Sequence, residues 1–494
     1  MKGREKEINK KLPMHTQPYS RKDGNVMEKP NILVIFTDQQ RFDTLGVYGQ
    51  TPSTSPNIDE LAEESVVFDY AFTPQPVCGP SRSCLQTGLY ATKTGCYRNA
   101  IALPEGLPTL AKLLKNEGYR TGYVGKWHLA STMYPSFEDI GEKKNYTQAA
   151  VPESLRGGYE FWRVADTLEH TSSATEGHVW DEKGNQIDFS KYRVDAITDY
   201  AIEYIDNQKN SSSEPFFLFI SYLEPHHQNN ERRFVGPQGS KEKYQEIPIP
   251  KDLTSLKGDW EENYADYIGA CASIDSNVGR LIQKLKTLDQ YKNTTIIFTS
   301  DHGCHFRTRN REYKRSCHDA SIHIPLIIKN ENYRREHRPE MVNLVDLPQT
   351  ILDIAGATKL ESMQGNSLHT LSQHPPGQVE WRDDVFFQIS ESQLGRGVRT
   401  KKWKFSVKSP WKDGLLHSKA TSYMADCLYD LENDPYELKN LVRDPSTVLI
   451  QTQLAGRIRY YIKEIEDLDV KIFQKTSRIQ FVFNRIRNRR SLLD

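Results

Sequence analysis

Four segments of this chain place ionisable side chains directly after apolar runs: Asp38 and Gln39 after NILVIFT, Lys126 and His128 in GYRTGYVGKWH, His226 and His227 in FFLFISYLEPHH, and Asp301 and His302 in TTIIFTSDHG. Asp38, Asp301 and His302, with Gln39 as a weaker fourth, offer carboxylate, amide and imidazole donors that could converge on a divalent cation. Such an oxygen-rich set selects a hard ion, Ca²⁺, Mn²⁺ or Mg²⁺, and the one imidazole leans towards Mn²⁺. Taken alone, Asp-His-Gly is an ordinary strand-ending turn, a strand-end histidine is usually structural, and a lone lysine is usually solvated. What singles these residues out is their shared position after buried strands. Lys126 and His128 are two apart, so a strand continuing through them would point both to one face. Lys314 adds a further cation.

The stretch VCGPSRSCLQTG, Val77 to Gly88, contributes Cys78 and Arg82. If it begins a helix, a spacing of four puts both on one face, Pro80 suits the first turn, and the helix N-terminus attracts an anion beside Cys78. The residues alone thus describe an anion site with a reactive cysteine near a metal, without naming the reaction. Cys84, in the same stretch, is expected only to pack.

The elements that must position these groups follow from hydrophobic patterning. Unbroken β-rich apolar runs read as strands buried on both faces of a parallel sheet. Between them SPNIDELAEES, LPTLAKLLKNEGY and YADYIGACASIDSNVGRLIQKLKTL show helical spacing. Alternating strands and helices predict a large mixed, mostly parallel sheet sandwiched by helices, with ligands at the carboxyl ends of the strands. Beyond about residue 375, after SQHPPGQ, short segments such as VFFQIS, GVRTKKWKFSV and CLYDL read as antiparallel strands, followed by a helix in VLIQTQLAGRIRYYIKEIEDL. The expected division is a polar tail at 1–29, a catalytic domain at 30–375 and a C-terminal α+β subdomain at 376–494.

Composition narrows the classes. Lys+Arg and Asp+Glu are both 65 in 494 residues, which gives no net field for nucleic acid or an anionic membrane. No apolar run approaches the roughly 18–20 residues of a membrane span, so a soluble globular chain without a membrane or nucleic-acid partner is expected. Seven cysteines, widely scattered, do not form a disulfide framework. The first 29 residues hold no apolar signal-peptide core.

CGPSRSCLQTG matches C-x-P-S-R-x-x-x-x-T-G, and on it the chain resembles the type I sulfatases of the alkaline phosphatase superfamily, whose first motif cysteine is converted to Cα-formylglycine. PNILVIFTDQQR, GYRTGYVGKWHL, FTSDHG, LVDLPQTILDIAG and CLYDLENDPYELKNL are similar to further family segments in the same order. The resemblance implies an alkaline-phosphatase-like domain followed by a smaller domain with a four-stranded antiparallel sheet. It implies a metal held by Asp38, Gln39, Asp301, His302 and an oxygen of modified residue 78, with Ca²⁺ expected first and Mn²⁺ or Mg²⁺ as alternatives. Arg82, Lys126 and Lys314 resemble the sulfate contacts, and His128 and His226 the proton-transfer groups, with His227 an alternative to His226. A maturation enzyme that generates formylglycine is an implied partner. Gln39 and His302 depart from the Asp and Asn of many members, and Asp-Gln also occurs in relatives that cleave choline sulfate or phosphonate esters.

These readings predict a sulfuric ester hydrolase acting on a sulfated oligo- or polysaccharide. The Arg/Lys/His-rich stretch Gly303 to Pro325 is similar to that of bacterial carbohydrate sulfatases, with ulvan or galactan fragments ahead of glycosaminoglycans. The same density could instead form structural ion pairs. The rivals are a phosphodiesterase or phosphonate monoester hydrolase, a choline sulfatase and an inactive glycan-binding relative. Family carbohydrate sulfatases are often periplasmic, so location stays open between that and the cytoplasm.

Overall fold

A computed structural model describes residues 29–50, 54–208, 214–229 and 231–474. The expected polar tail therefore lies outside the described residues except for Lys29. Ten strands form one sheet: β1 Asn31–Thr37, β2 Val66–Phe72, β3 Arg120–Lys126, β4 Phe161–Ala165, β5 Glu176–Trp180, β6 Gln186–Ser190, β7 Phe216–Ser221, β8 Thr294–Ser300, β9 Leu326–Lys329 and β10 Glu336–Asn343. Their order is β10-β2-β9-β8-β1-β7-β3-β4-β5-β6. The central five, from β8 to β4, run parallel, while β9, β5 and β6 join antiparallel.

The continuous apolar runs are explained by cover on both faces. Every residue of β1, β7 and β8 is buried. Alternate β1 residues Ile32, Val34 and Phe36 join a core with Tyr123, Trp127 and Trp162. Leu33 and Ile35 face the opposite core, with Ile274, Val278, Leu281 and Leu285 of the 28-residue helix Trp260–Thr287. Burial of such side chains contributes about 1.5–3 kcal/mol each, before conformational entropy is counted. Among the described residues no helix is long and apolar enough to cross a membrane.

A second sheet contains β11 Asp384–Ile389, β12 Gly395–Thr400, β13 Trp403–Lys408, β14 Ser422–Asp430 and β15 Lys471–Phe473. The first four are antiparallel, as expected, but the sheet has five strands: the three-residue β15 adds parallel to β14. One face of this sheet packs Phe386, Val398 and Phe405 against Leu454, Ile458 and Ile462 of the helix Val448–Glu466. On the other, Val385, Phe387 and Ile389 pack with Phe72, Cys317, Ile322 and Met341. The two sheets are thus joined by apolar packing around the segment that follows β8.

That junction also holds buried charge. Lys404 Nζ of β13 donates to Asp319 Oδ1 at 2.5 Å and to Glu437, while Glu437 Oε2 accepts the Asp319 backbone N–H at 2.7 Å. Arg309 donates to the carbonyl oxygens of Tyr436 and Glu437. Much of the basic density between Gly303 and Pro325 is therefore consumed structurally.

Gly125, next to last in β3, has φ +105°, and a Cβ there would lie 2.0 Å from the carbonyl oxygen of Ser221 on β7. No L side chain fits both constraints. Gly125→Ala is expected to destabilise the protein by about 3 kcal/mol or more, read as a fall in the urea unfolding midpoint; an unchanged midpoint would refute the close strand approach.

Candidate active site

At the carboxyl ends of β1, β3, β7 and β8 the chain turns away from the sheet, and the polar residues that end these runs meet there. Asp38 follows β1, and the next residue, Gln39, has φ +70°. Its backbone N–H donates to Asp301 Oδ1 at 3.0 Å, so the turn after β1 is tied to the turn after β8. The Gln39 amide Nε2 meets Cys304 Sγ at 3.4 Å. Lys126 is the last residue of β3, but the strand stops there and His128 has φ +60°. The expected strand alternation therefore does not place Lys126 and His128. A left-handed turn does, held by Asp166, whose carbonyl accepts the His128 N–H at 2.7 Å and whose carboxylate accepts the N–H groups of Leu129 and Ala130. Non-glycine residues rarely adopt this conformation, and Gln39 and His128 adopt it at two of the strand ends that build the site.

Cys78 opens a ten-residue helix, Cys78–Thr87, with Pro80 in its first turn and Gly88 closing it at φ +72°. The expected shared face is realised. Arg82 lies beneath Cys78 and donates to Ser221 Oγ at 2.6 Å, the Lys126 carbonyl at 3.1 Å, Asp38 Oδ2 at 3.1 Å and Asp301 Oδ2 at 3.4 Å. Lys126 Nζ donates to Asp38 Oδ2 at 2.8 Å and to Glu169 Oε1 at 3.2 Å. Lys314 Nζ lies 2.8 Å from Cys78 Sγ, 3.1 Å from His302 Nε2 and 3.2 Å from His226 Nε2. Cys84, in contrast, is buried, and burial pushes its thiol pKa well up, as a packing role requires.

The electrostatics are those of a charge cluster withdrawn from water. Asp38, Arg82, Lys126, Asp301 and His302 are all at most 2 % exposed. Burial opposes ionisation of Asp38 and Cys78, yet neighbouring cations reverse the balance and hold both well below their usual ranges: Lys126, His226 and Lys314 for Asp38, Lys126 and Lys314 for Cys78. Asp301 is raised instead, by burial and by the like charge of Asp38. Two carboxylates are thus forced together, with the second resisting its charge.

A cation would relieve that opposition. One donor atom from each of Asp38, Cys78, Asp301 and His302 lies within 4.8 Å of the other three. His302 Nδ1 meets its neighbour's carbonyl, Gly303 O, at 3.0 Å, which places the proton on Nδ1 and leaves the Nε2 lone pair facing the carboxylates. With an oxygen in place of the Cys78 sulfur, two carboxylates, that oxygen and one imidazole would fit a hard divalent ion. Of the two histidines after β7, His226 reaches this cluster, with Nε2 4.0 Å from Asp38 Oδ1. His227 does not: it stacks on Tyr313 at 4.5 Å and packs edge-on to Phe234.

Sequence reasoning missed Glu169, Ser221 and Asp166. Glu169 and Asp166 follow FWRVA of β4, a partly buried strand whose Arg163 breaks the apolar run that marked the other strand ends. Ser221 ends β7 and had no charge to draw attention.

Two family models match this chain. The family model described as Sulfatase matches residues 30–357, and one described as N-sulphoglucosamine sulphohydrolase, C-terminal matches 311–464. The chain is similar to the uncharacterized sulfatase YidJ of Escherichia coli K12, 28 % identical over 473 residues, covering 89 % of this chain and 88 % of that one. It is 26 % identical over 459 residues to the ulvan-active sulfatase of Formosa agariphila, covering 89 % and 82 %. A solved Bacteroides fragilis structure described as a sulfatase, yidJ, superposes with TM-score 0.75 at 23 % identity, covering 90 % of this chain and 98 % of that one.

Removing Arg82 would leave two buried carboxylates facing each other, so Arg82→Met is expected to cost about 3–5 kcal/mol, measured by chemical denaturation. If the four-donor cluster holds a divalent ion, chelation removes about 2.7 kcal/mol at a metal concentration 100 times Kd. The expected fall in Tm is roughly 2–5 °C, restored by Ca²⁺, Mn²⁺ or Mg²⁺; a Tm indifferent to chelator and metal would count against the site.

Proposed function

Because this chain belongs to the sulfatase family, and is a sulfuric ester hydrolase, we propose that it removes sulfate from a sulfated carbohydrate through a Cα-formylglycine made from Cys78. The observation that carries the reading is the convergence of Cys78, at a helix N-terminus, with Arg82, Lys126, Lys314 and a metal-fitting donor set in one buried cluster. The Cys78 Sγ stands where an oxygen of the matured residue would lie. The relative from F. agariphila described as ulvan-active supports an algal polysaccharide fragment, ulvan or a galactan, as substrate. Residues 30–375 would form the catalytic domain and 376–494 the C-terminal subdomain, whose residues 475–494 lie outside the described residues.

When bound, the metal supplies a Lewis acid that draws negative charge from the sulfuryl group and the nucleophile; Asp38, Asp301, His302 and residue 78, with Gln39 beside them, would hold it, Ca²⁺ being the first expectation. The formyl group, hydrated, offers a hydroxyl nucleophile and a second hydroxyl through which sulfate can leave. Arg82, Lys126 and Lys314 bind the sulfuryl oxygens and stabilise the charge that accumulates on them, the largest contribution such fixed charges make. Asp301, raised by burial and by Asp38, is suited to take the nucleophile's proton. His226 donates a proton to the departing sugar oxygen: its Nδ1 meets the His227 carbonyl at 2.6 Å, so its Nε2 is the atom turned to the cluster. His128, half-buried beside Cys78, removes the proton that lets sulfate depart.

Mass spectrometry of the Cys78 peptide, from cells containing the maturation enzyme, is expected to show the aldehyde in active protein. Active protein carrying an intact thiol would overturn the mechanism. His226→Ala is expected to lower kcat on carbohydrate sulfates by 10²–10⁴-fold and far less on an aryl sulfate whose phenolate leaves unaided, whereas His227→Ala should show no such split. Parallel assay of an aryl phosphodiester tests the phosphodiesterase alternative; a higher kcat/KM on it than on aryl sulfate would favour that activity.

A further inference from the structure

Glu169 joins the charge cluster to a cavity on the side of β5 and β6. Its Oε1 accepts from Lys126 Nζ at 3.2 Å, while Oε2 has no partner although the residue is only 8 % exposed. A buried carboxylate oxygen without a donor costs about 1–3 kcal/mol, so an unfilled acceptor at this place points to a ligand. Glu169 lines a cavity of about 660 Å³ with Gln148, His170, Ser173, His178 and Asp188 among its walls. That volume is of the size that small ligands occupy.

The lining has one sign of charge. It contains the carboxylates of Glu169, Glu176 and Asp188, and among the described lining residues no lysine or arginine. Asp188, opposite His178, and Glu176, opposite Ser190, are exposed on the β5–β6 hairpin, while Glu169 is the buried carboxylate of the lining. Against burial and the like charge of Asp38, the charges of Lys126, His128 and His226 hold the Glu169 carboxyl down at about 2, so it is an acceptor at every working pH. His226 is the group assigned above to the departing oxygen. Glu169 is the residue that the cavity wall shares with the cluster, through its contact with Lys126, so the cavity adjoins the cluster on the Lys126 side.

We infer that this cavity seats the sugar ring that carries the sulfate, that Glu169 Oε2 accepts a hydrogen bond from a ring hydroxyl, and that the three carboxylates select a neutral ring over one bearing a carboxylate or a second sulfate. The inference rests on the sulfatase reading above and adds to it the charge class of the ring. Sulfate itself is met by Arg82, Lys126 and Lys314, so cationic and anionic parts of the site recognise different parts of one ester. Rejection by like charge is a specificity device that a hydroxyl-binding pocket alone does not supply. Two unit charges near a protein surface repel enough to shift binding by about tenfold or more.

The test uses metal-loaded, formylglycine-containing enzyme, 4-nitrophenyl sulfate, and the mono-O-sulfates of galactose and N-acetylglucosamine alongside the corresponding disulfates. The wild type is expected to favour the best monosulfate over its disulfate by about tenfold or more in kcat/KM. The double variant Glu176→Gln with Asp188→Asn should bring that ratio within about threefold. Glu169→Gln, which keeps the side chain's shape, should lower kcat/KM for the best monosulfate about tenfold more than for 4-nitrophenyl sulfate, with its thermal melt verifying the fold. Equal use of mono- and disulfates by the wild type would overturn the charge selection. Equal losses on sugar and aryl esters in Glu169→Gln would reduce Glu169 to a residue that positions Lys126. No turnover of any ester would overturn the sulfatase reading and this inference with it, an outcome distinct from turnover without preference.

Discussion

Asp38 is the hinge of this molecule. Its carboxylate, fully buried at the end of the central strand β1, accepts from Lys126 at 2.8 Å and from Arg82 at 3.1 Å. Those two cations come from elements far apart in sequence, the end of β3 and the Cys78 helix, and neither could be withdrawn from water without an opposite charge. Arg82 in turn reaches Asp301 after β8 and Ser221 at the end of β7. One buried ion cluster thus fixes the relative positions of four strand ends and the helix that presents Cys78. An open α/β sheet naturally gathers its loops at this edge, and the charges decide which side chains turn inward.

The second sheet contributes to the same edge indirectly. Lys314 lies in the segment between β8 and β9, and that segment is clamped by Lys404, Glu437 and Asp319 on one side and by Cys317 and Ile322 packed under β11 on the other. The short C-terminal motif LYDLENDPYEL thereby acquires a physical purpose: its Glu437 anchors the loop whose lysine reaches Cys78. Basic residues in this loop divide between that duty and structural pairing, with Arg309 and Arg315 both engaged, the latter with Glu391 at 2.5 Å.

Charge is distributed unevenly around the cluster. Cations gather against Asp38, Asp301 and Cys78, where an anion and a metal fit, while beyond Lys126 the lining turns acidic. Glu169 stands at the boundary, with one oxygen committed to Lys126 and one without a partner.

Read from the chain itself, the apolar runs of β1, β7 and β8 announced a parallel sheet buried on both faces, because no half-exposed strand can be apolar at every position. The spacing in CGPSR placed Cys78 and Arg82 on one helical face, since helix geometry is local and residues four apart must be neighbours. These local rules also marked Asp38, Lys126, Asp301, His302 and Lys314 as candidates. What they could not reach depends on contacts between distant segments. His128 arrives by a left-handed turn that Asp166 stabilises, where alternation along a strand had been expected. His226 rather than His227 faces the cluster because Tyr313 and Phe234 enclose the latter. Glu169 becomes visible only when β4 is laid beside β3, and the fifth strand β15 only when residues 471–473 fold back on β14. Periodicity is written in neighbouring residues, but which charges become partners is settled by the packing of strands such as β1 and β8, whose paired residues, Thr37 and Ser300 among them, the chain holds far apart.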